Sequence, residues 1–418
     1  MAKLIVTGGH PLTGRCRVGG AKNAVLPILA ACMLTGRSVR LLDCPRLTDV
    51  DNMLEILQTL GCGVCFSDGV IDVDASAADC HELPEHLSKE LRSSIFLLGP
   101  VLGRFGRATV TYPGGCEIGN RPIDLHLSGL AALGARVTEE GGRIRCEGER
   151  LTGTDIHLDY PSVGATENIM MAAVAADGET VIRNAAREPE ICGLQEFLLA
   201  AGFRVFGAGS STIRIVGGCA PRAVTFTVMP DRIVAGTLLV AGAISGGEVT
   251  VDNVCAEHVS GTLAKLVECG CRIEMRANSI SLFAPERPQE IKLIETMPHP
   301  GFPTDMQAQM FALCSIADGT SVIVENVFEN RFKHAQELGR MGAVSIVKGR
   351  TAVVRGVRRL TGTRVTAHDL RGGAALVLAG LAASGQTVVD RCERIDRGYA
   401  RLEEMLGALG ARIVREET

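Results

Sequence analysis

One stretch of the sequence sets a thiol beside a fixed positive charge: Tyr112-Pro113-Gly114-Gly115-Cys116-Glu117-Ile118-Gly119-Asn120-Arg121-Pro122-Ile123-Asp124. Its glycines and prolines predict an irregular, mobile loop. Cys116 answers to no apolar periodicity, and a cation nearby favours thiolate chemistry. The competing reading is a small buried hydrophobe, the usual fate of a free cysteine. Further polar clusters each precede an apolar run: Lys22-Asn23, Arg92-Ser93-Ser94, Ser162 to Thr166, Asp231-Arg232, Thr304-Asp305 and Asp369 to Gly373. At a helix N-terminus the free N–H groups and the dipole favour anions. Singly each is an ordinary cap. Together, with Arg121, Arg331, Arg371 and Arg397, they predict a cleft equipped for multiply anionic, phosphate-bearing substrates. Cys116 would act there as acid or nucleophile, and Asp305 or Asp369 as base.

The elements that position these residues follow from an internal repeat. A Leu-Gly-like stop leading into an alternating strand recurs about every 70 residues, at Gly61, Gly134, Gly202, Gly270, Gly342 and Gly410. Each reads as a helix-terminating glycine. Upstream of each stop lie a small-residue apolar helix, a glycine and a β-branched strand. The helix and strand pairs are 26–34 with 39–42, 95–102 with 109–111, 169–176 with 180–182, 234–244 with 249–251, 307–316 with 321–324, and 374–383 with 387–389. The repeat is therefore helix–strand–helix–strand–strand, with first helices apolar nearly all round and so buried. The sixth repeat lacks its closing strand, and strands at 4–7 and 15–18 have no helix before them. Both N-terminal strands are expected to complete it. That gives an α/β protein of two domains with three repeats each: 22–229, carrying the Cys116 loop, and 1–21 plus 230–418. Spacing from the strand-opening glycine to the next stop is nearly constant, except after Gly106. The excess lies in the 112–121 loop, which favours a functional Cys116 over the bland reading.

Composition narrows the function. A net charge of −4, 4% aromatics and no tryptophan argue against a nucleic-acid or anionic-membrane surface. The N-terminus shows no signal peptide and no apolar run is long enough to span a bilayer. Fifteen cysteines without export point to a reducing cytosol. Cys62-Gly63-Val64-Cys65 lacks a second pair or histidines and reads as structural. Walker A, dinucleotide and His-rich metal motifs are absent, so neither metal nor cofactor is expected.

The motifs Gly20-Ala21-Lys22-Asn23-Ala24, Pro113-Gly114-Gly115-Cys116, Arg121-Pro122-Ile123-Asp124-Leu125-His126 and Ser162-Val163-Gly164-Ala165-Thr166 resemble one family. So do Phe302-Pro303-Thr304-Asp305-Met306-Gln307-Ala308-Gln309, Glu329-Asn330-Arg331-Phe332 and Ile395-Asp396-Arg397-Gly398-Tyr399. The family is that of the UDP-N-acetylglucosamine 1-carboxyvinyltransferases, EPSP synthase-like enolpyruvyl transferases of peptidoglycan synthesis. The resemblance runs over residues 4–415. It implies a two-domain inside-out α/β barrel of six repeats. It also implies transfer of enolpyruvyl from phosphoenolpyruvate to the sugar 3′-hydroxyl, with phosphate release through a tetrahedral ketal. This would be the first committed step toward peptidoglycan, cytoplasmic, tied to cell-wall biogenesis, cell shape and division, and a fosfomycin target.

By the same resemblance Lys22, Asn23, Arg121 and Arg397 hold phosphoenolpyruvate. Cys116 is the general acid and can form an adduct, Asp305 is the base, and Lys22 and Arg397 share in catalysis. Arg92, Arg121, Pro122, Ile123, Asp124, Leu125, Tyr160, Pro161, Ser162, Val163, Asp305 and Val327 contact the UDP-sugar. Asp231, Arg331, Asp369 and Arg371 support them. Val234 departs from the pattern, where a polar residue is expected at the helix start. The rival enolpyruvyl transferase, acting on shikimate 3-phosphate, would need serine at Asn23 and no cysteine loop. A non-catalytic nucleic-acid clamp would need a basic face.

Overall fold

Six helices carry little but apolar and small side chains, and the architecture follows from hiding them. They are α1 (Lys22–Thr35), α2 (Leu98–Phe105), α3 (Val163–Ala173), α4 (Arg232–Ser245), α5 (Gln307–Cys314) and α6 (Leu370–Ala382). Every residue of α5 is buried, as is each from Ile233 to Ile244 in α4 and from Arg371 to Leu381 in α6. A helix buried on all faces needs neighbours all round. Glycine lets them come close. A Cβ at Gly99 would stand 2.3 Å from the Asn168 carbonyl oxygen, and one at Gly236 would stand 3.0 Å from Met306.

The computed structural model of the chain describes residues 2–112 and 123–417. They fall into two compact units, one from residues 2–19 and 230–417, the other from residues 20–112 and 123–229. Among the described residues there are five four-stranded sheets and one three-stranded sheet. The strand after each core helix lies inside its sheet where there are four strands. Asp155–His157 pairs parallel with Glu179–Arg183 across α3, Leu293–Glu295 with Thr320–Val324 across α5, and Arg364–Thr366 with Gln386–Asp390 across α6. These are strand–helix–strand crossovers, and an antiparallel hairpin completes the first two sheets. The three-stranded sheet belongs to the repeat with the long loop. There a single parallel bridge, Glu82 to Thr109, stands where the others have a strand.

The N-terminal strands part company. β1 (Ala2–Thr7) pairs antiparallel with Gln386–Asp390 and with Arg412–Glu417, completing the sixth repeat as expected. β2 (Thr13–Arg17) does not join it. It pairs parallel with Glu248–Asp252, the strand that follows α4. The reason is topological. The chain enters α4 from Val224–Thr227, which pairs instead with Ser38–Leu42 after α1, so α4 lacks a leading strand of its own. β2, which runs by chain into α1, fills that place, and its Arg15 forks Asp252. Burial agrees: Leu4 and Val6 of β1 face the core at 0% exposure, whereas β2 buries only Cys16.

The six stop glycines share one conformation, with φ of 93° at Gly61, 98° at Gly134 and Gly202, 95° at Gly270, 94° at Gly342 and 87° at Gly410. A side chain there would be strained.

Close helix packing makes a testable contrast. Gly99→Ala should lose ~1–3 kcal/mol, because its Cβ meets backbone rather than a flexible side chain. Gly407→Ala, in helix Leu402–Ala408 with nothing within 4 Å, should gain up to ~1 kcal/mol. Urea denaturation of both variants checks the pair.

Candidate active site

The chemistry gathers where core helices begin. In the unit of residues 230–417, α5 is entered through a tight turn, Thr304–Met306, that presents Asp305. Arg331 Nη2 donates to Asp305 Oδ1 at 2.6 Å and Arg371 Nη2 to Oδ2 at 3.2 Å. Both arginines are 3% exposed, while the Asp305 side chain keeps 26%. This carboxylate is gripped by two guanidiniums. Asp231 and Asp369, by contrast, are caps. Asp231 Oδ1 accepts from Ile233 N at 2.8 Å and Val234 N at 3.0 Å; Asp369 Oδ1 accepts from Arg371 N at 3.0 Å and Gly372 N at 2.8 Å. The departure at Val234 leaves its cap bond whole, because the backbone makes it.

Burial pulls the Arg371 pKa down, but the negative charges of Asp305 and Asp231 and the nearby Tyr399 more than offset it, and the net shift is upward. Among the described residues its buried Nε and Nη1 meet no acceptor in hydrogen-bond geometry. Its guanidinium lies 5.3 Å from the centre of the Tyr399 ring. The Tyr399 hydroxyl meets Thr237 Oγ1 at 2.9 Å and Gln309 Nε2 at 3.1 Å, and Gln309 Nε2 also donates to the Asp305 carbonyl at 2.9 Å. Glu325, 0% exposed, ties two site segments together. Its Oε2 accepts from Thr304 Oγ1 at 2.9 Å; its Oε1 accepts from Val327 N at 2.9 Å and Phe328 N at 3.0 Å. Arg397 is half-buried on the turn after Ile395.

In the other unit Lys22 is the first residue of α1, and its Nζ stands 2.6 Å from Asp49 Oδ2 with both side chains nearly buried. Asn23 is half-buried beside it. Arg92 opens the turn Arg92–Leu97 that leads into α2, and Ser162 caps α3 by accepting from Ala165 N at 3.4 Å. Tyr160 is exposed, Pro161 and Val163 are half-buried, Ile123 is buried, Asp124 exposed and Leu125 half-buried. Asn168 ties three elements here: its Nδ2 donates to the Ile95 carbonyl at 2.8 Å and lies 3.0 Å from His126 Nδ1, while its Oδ1 accepts from Gly99 N at 2.6 Å. Cys116, Arg121 and Pro122 lie outside the described residues.

Two histidines occupy matching places, each early in a second helix: His126 in Asp124–Ala132 and His334 in Lys333–Arg340. Burial, with the Arg92 charge behind it, lowers the His126 pKa to about 4. Burial also lowers that of His334 to about 4, Asp369 opposing and Arg331 assisting. Each ring is thus a neutral wall beside an arginine.

Asp49, Glu325, Gln309 and Tyr399 are the site neighbours that sequence reasoning did not assign. Only Asp49, an acid in a helix first turn, carried a local signal. The cysteines other than Cys116 are not all buried: Cys65 is exposed, and Cys80, Cys192, Cys219 and Cys255 are half-buried. Cys65 falls on the outward parity of Gly63–Ser67. Burial pushes Cys62 and Cys392 up to about 11 and Cys44, Cys146 and Cys314 to about 12, so these remain thiols. Among the described residues no group of His, Cys, Asp or Glu could hold a metal ion.

The α/β frame that carries these helix starts matches that of enolpyruvyl transferase structures. The family model for EPSP synthase (3-phosphoshikimate 1-carboxyvinyltransferase) matches residues 6–406. The crystal structure of the enolpyruvyl transferase NikO from Streptomyces tendae is similar at a TM-score of 0.89 and 26% identity, over 100% of this chain and 99% of that one. EPSP synthase from Acinetobacter baumannii shares the fold at a TM-score of 0.75 and 18% identity, over 100% of both chains. UDP-N-acetylglucosamine 1-carboxyvinyltransferase 2 of Caldanaerobacter subterraneus subsp. tengcongensis is 52% identical over 99% of this chain and 100% of its own. The Myxococcus xanthus UDP-N-acetylglucosamine 1-carboxyvinyltransferase is 48% identical over 100% of both. The chain belongs to the UDP-N-acetylglucosamine 1-carboxyvinyltransferase family, within the EPSP synthase family, and is a transferase.

The histidines give a pH signature. The unfolded chain binds their protons below about 6.5, the folded chain only below about 4. Their stability contribution is therefore complete above 6.5 and is lost as pH falls toward 4, by roughly 3 kcal/mol per histidine. Replacing both with glutamine should flatten the fall in unfolding free energy across that window. Denaturant titrations at stepped pH check it, and an unchanged slope would remove the neutral-wall assignment.

Proposed function

We propose that the protein transfers the enolpyruvyl group of phosphoenolpyruvate to the 3′-hydroxyl of UDP-N-acetylglucosamine and releases phosphate. Addition at C2 forms a tetrahedral ketal, and elimination restores the alkene. Relatives bearing that activity in their names, matched along nearly the whole chain, support the substrates. The observation that carries the chemistry is Asp305, a carboxylate held by Arg331 and Arg371 at a helix start. That grip orients its oxygens at the start of the helix, where a base facing a sugar hydroxyl would stand. Asp369 is engaged by two backbone N–H groups, so the role of base falls to Asp305.

Lys22, Asn23, Arg121 and Arg397 take the phosphate and carboxylate of phosphoenolpyruvate, arginine suiting both by bidentate bonds. Asp49 holds the Lys22 ammonium. Cys116 delivers a proton to the methylene carbon as general acid. Arg92, Arg121, Pro122, Ile123, Asp124, Leu125, the Tyr160 to Val163 turn and Val327 contact the UDP-sugar. Asp231, Arg331, Asp369 and Arg371 shape the helix starts. In this reading the units are the domains 22–229 and 1–21 plus 230–418. Each is an inside-out barrel of three repeats. The reaction needs no metal or cofactor and runs in the cytoplasm, as the first committed step of peptidoglycan synthesis serving cell-wall growth, shape and division. No described helix is long and apolar enough to cross a membrane.

Phosphate release from phosphoenolpyruvate should depend on UDP-N-acetylglucosamine without added metal or nucleotide; release driven by shikimate 3-phosphate instead would overturn the assignment. Asp305→Asn should lower turnover by about 10² or more. It should also lower the melting temperature, since two buried guanidiniums lose their carboxylate, so rates are compared where circular dichroism shows the variant folded.

Fosfomycin, a phosphonate epoxide, should alkylate Cys116 ahead of exposed Cys65, because its phosphonate docks where phosphate binds. Cys116→Asp should keep turnover and escape alkylation, while Cys116→Ser loses turnover for want of acidity. Peptide mapping with rate measurements decides; a fully active serine variant would remove the acid.

A further inference from the structure

Among the described residues assigned to phosphoenolpyruvate, Arg397 leads no helix, and the structure shows what surrounds its turn. Arg415 sits on Arg412–Glu417, the closing strand that pairs with β1. Its Nη1 donates to Asp396 Oδ2 at 3.0 Å and its Nη2 to Asp396 Oδ1 at 2.6 Å. Its Nε donates to Glu403 Oε1 at 2.7 Å and its Nη2 to Glu403 Oε2 at 3.2 Å. One planar guanidinium thus forks two carboxylates, an arrangement that lysine cannot copy. The side chains of Arg415, Asp396 and Glu403 are 13%, 28% and 7% exposed, so solvent screens the network little.

Asp396 immediately precedes Arg397. On the other side, a Cβ at Gly398 would stand 2.7 Å from Leu370 Cδ2, so the turn is pressed onto the start of α6. Tyr399 follows, 1% exposed and bonded to Thr237 and Gln309. Arg397 therefore lies between a charge-held residue and a packed pair. The segment is also bounded by two left-handed arginines, Arg391 at φ 61° and Arg401 at φ 57°. After the equivalent strand other repeats place Asp43, Asn184 and Asn253, short side chains that tolerate this conformation better. A strained segment persists only where its surroundings hold it.

We propose that Arg415 is a positioning residue for Arg397: through its bidentate hold on Asp396, braced by Glu403, it fixes the backbone that aims Arg397 at phosphoenolpyruvate. This rests on the reading of Arg397 as a phosphoenolpyruvate ligand. Arg415 itself touches no substrate. Its loss should appear as poorer capture of phosphoenolpyruvate while the sugar nucleotide binds as before.

The test is steady-state kinetics on Arg415→Lys, Arg397→Ala and the double variant, each with a melting temperature. Arg415→Lys should raise KM for phosphoenolpyruvate about tenfold or more, as a misplaced group does, and leave KM for UDP-N-acetylglucosamine unchanged. In the Arg397→Ala background the same substitution should add nothing, because its effect passes through Arg397. If Arg415→Lys does not fold, Asp396→Asn breaks the same hold with less disturbance and should give the same split. Parallel rises in both KM values, or additive effects in the double variant, would show a merely structural arginine and overturn the proposal. An unchanged KM for phosphoenolpyruvate in Arg397→Ala would instead remove the ligand reading of Arg397, and this inference with it; the single and double variants tell the two failures apart.

Discussion

A helix buried on every face can do chemistry only at its ends. That constraint governs this molecule. Its core helices surrender their sides to glycine- and alanine-mediated packing, so charge sits mainly at their ends, with Lys22, Arg232 and Arg371 in first turns, Arg104 in the last turn of α2, and the buried Glu167 of α3 the exception. The two units use those turns differently. One offers the cations Lys22 and Arg92 at the starts of α1 and of the turn before α2. The other offers Asp231, Asp305 and Asp369, two as caps and one gripped by arginines. A repeated frame with interchangeable ends lets one architecture carry different polar groups without altering its core.

The polar groups beneath those ends are bound to one another. Glu325 joins the Thr304 turn to the Val327 segment, and the Thr237–Gln309–Tyr399 cluster underlies Asp305 and Arg371. Neutral histidines stand beside arginines that would otherwise meet another cation. Buried polar networks of this kind are costly when incomplete. The Arg371 guanidinium is held in this network by Asp305 and by the face of the Tyr399 ring.

Much of this was legible in the sequence, for physical reasons. The stop glycines announce the repeat because only glycine sits comfortably at φ near 95°, the value at Gly270. Helix starts show as polar residues before apolar runs. Partnership across the chain is what hides. Asp49, Glu325 and Arg415 act on residues far away in sequence, or through a turn, and periodicity tells which face is buried but not what it meets. β2 illustrates the limit: its strand character is local, yet its partner Glu248–Asp252 is set by how two crossings exchange leading strands. Cys65 is the reverse case, since its outward parity could have been read from alternation alone.

The place of β1 has a consequence for the order in which the polypeptide emerges from the ribosome. β1 is made first, but both strands that flank it, Gln386–Asp390 and Arg412–Glu417, are made last. The strands of the unit at 20–229 are all translated before residue 230 and pair among themselves. One half of the molecule can therefore mature during elongation, whereas the other waits until Arg412–Glu417 has been made, with an unpaired hydrophobic segment, Leu4 to Val6, held in reserve. Nascent-chain chaperones meet such segments first.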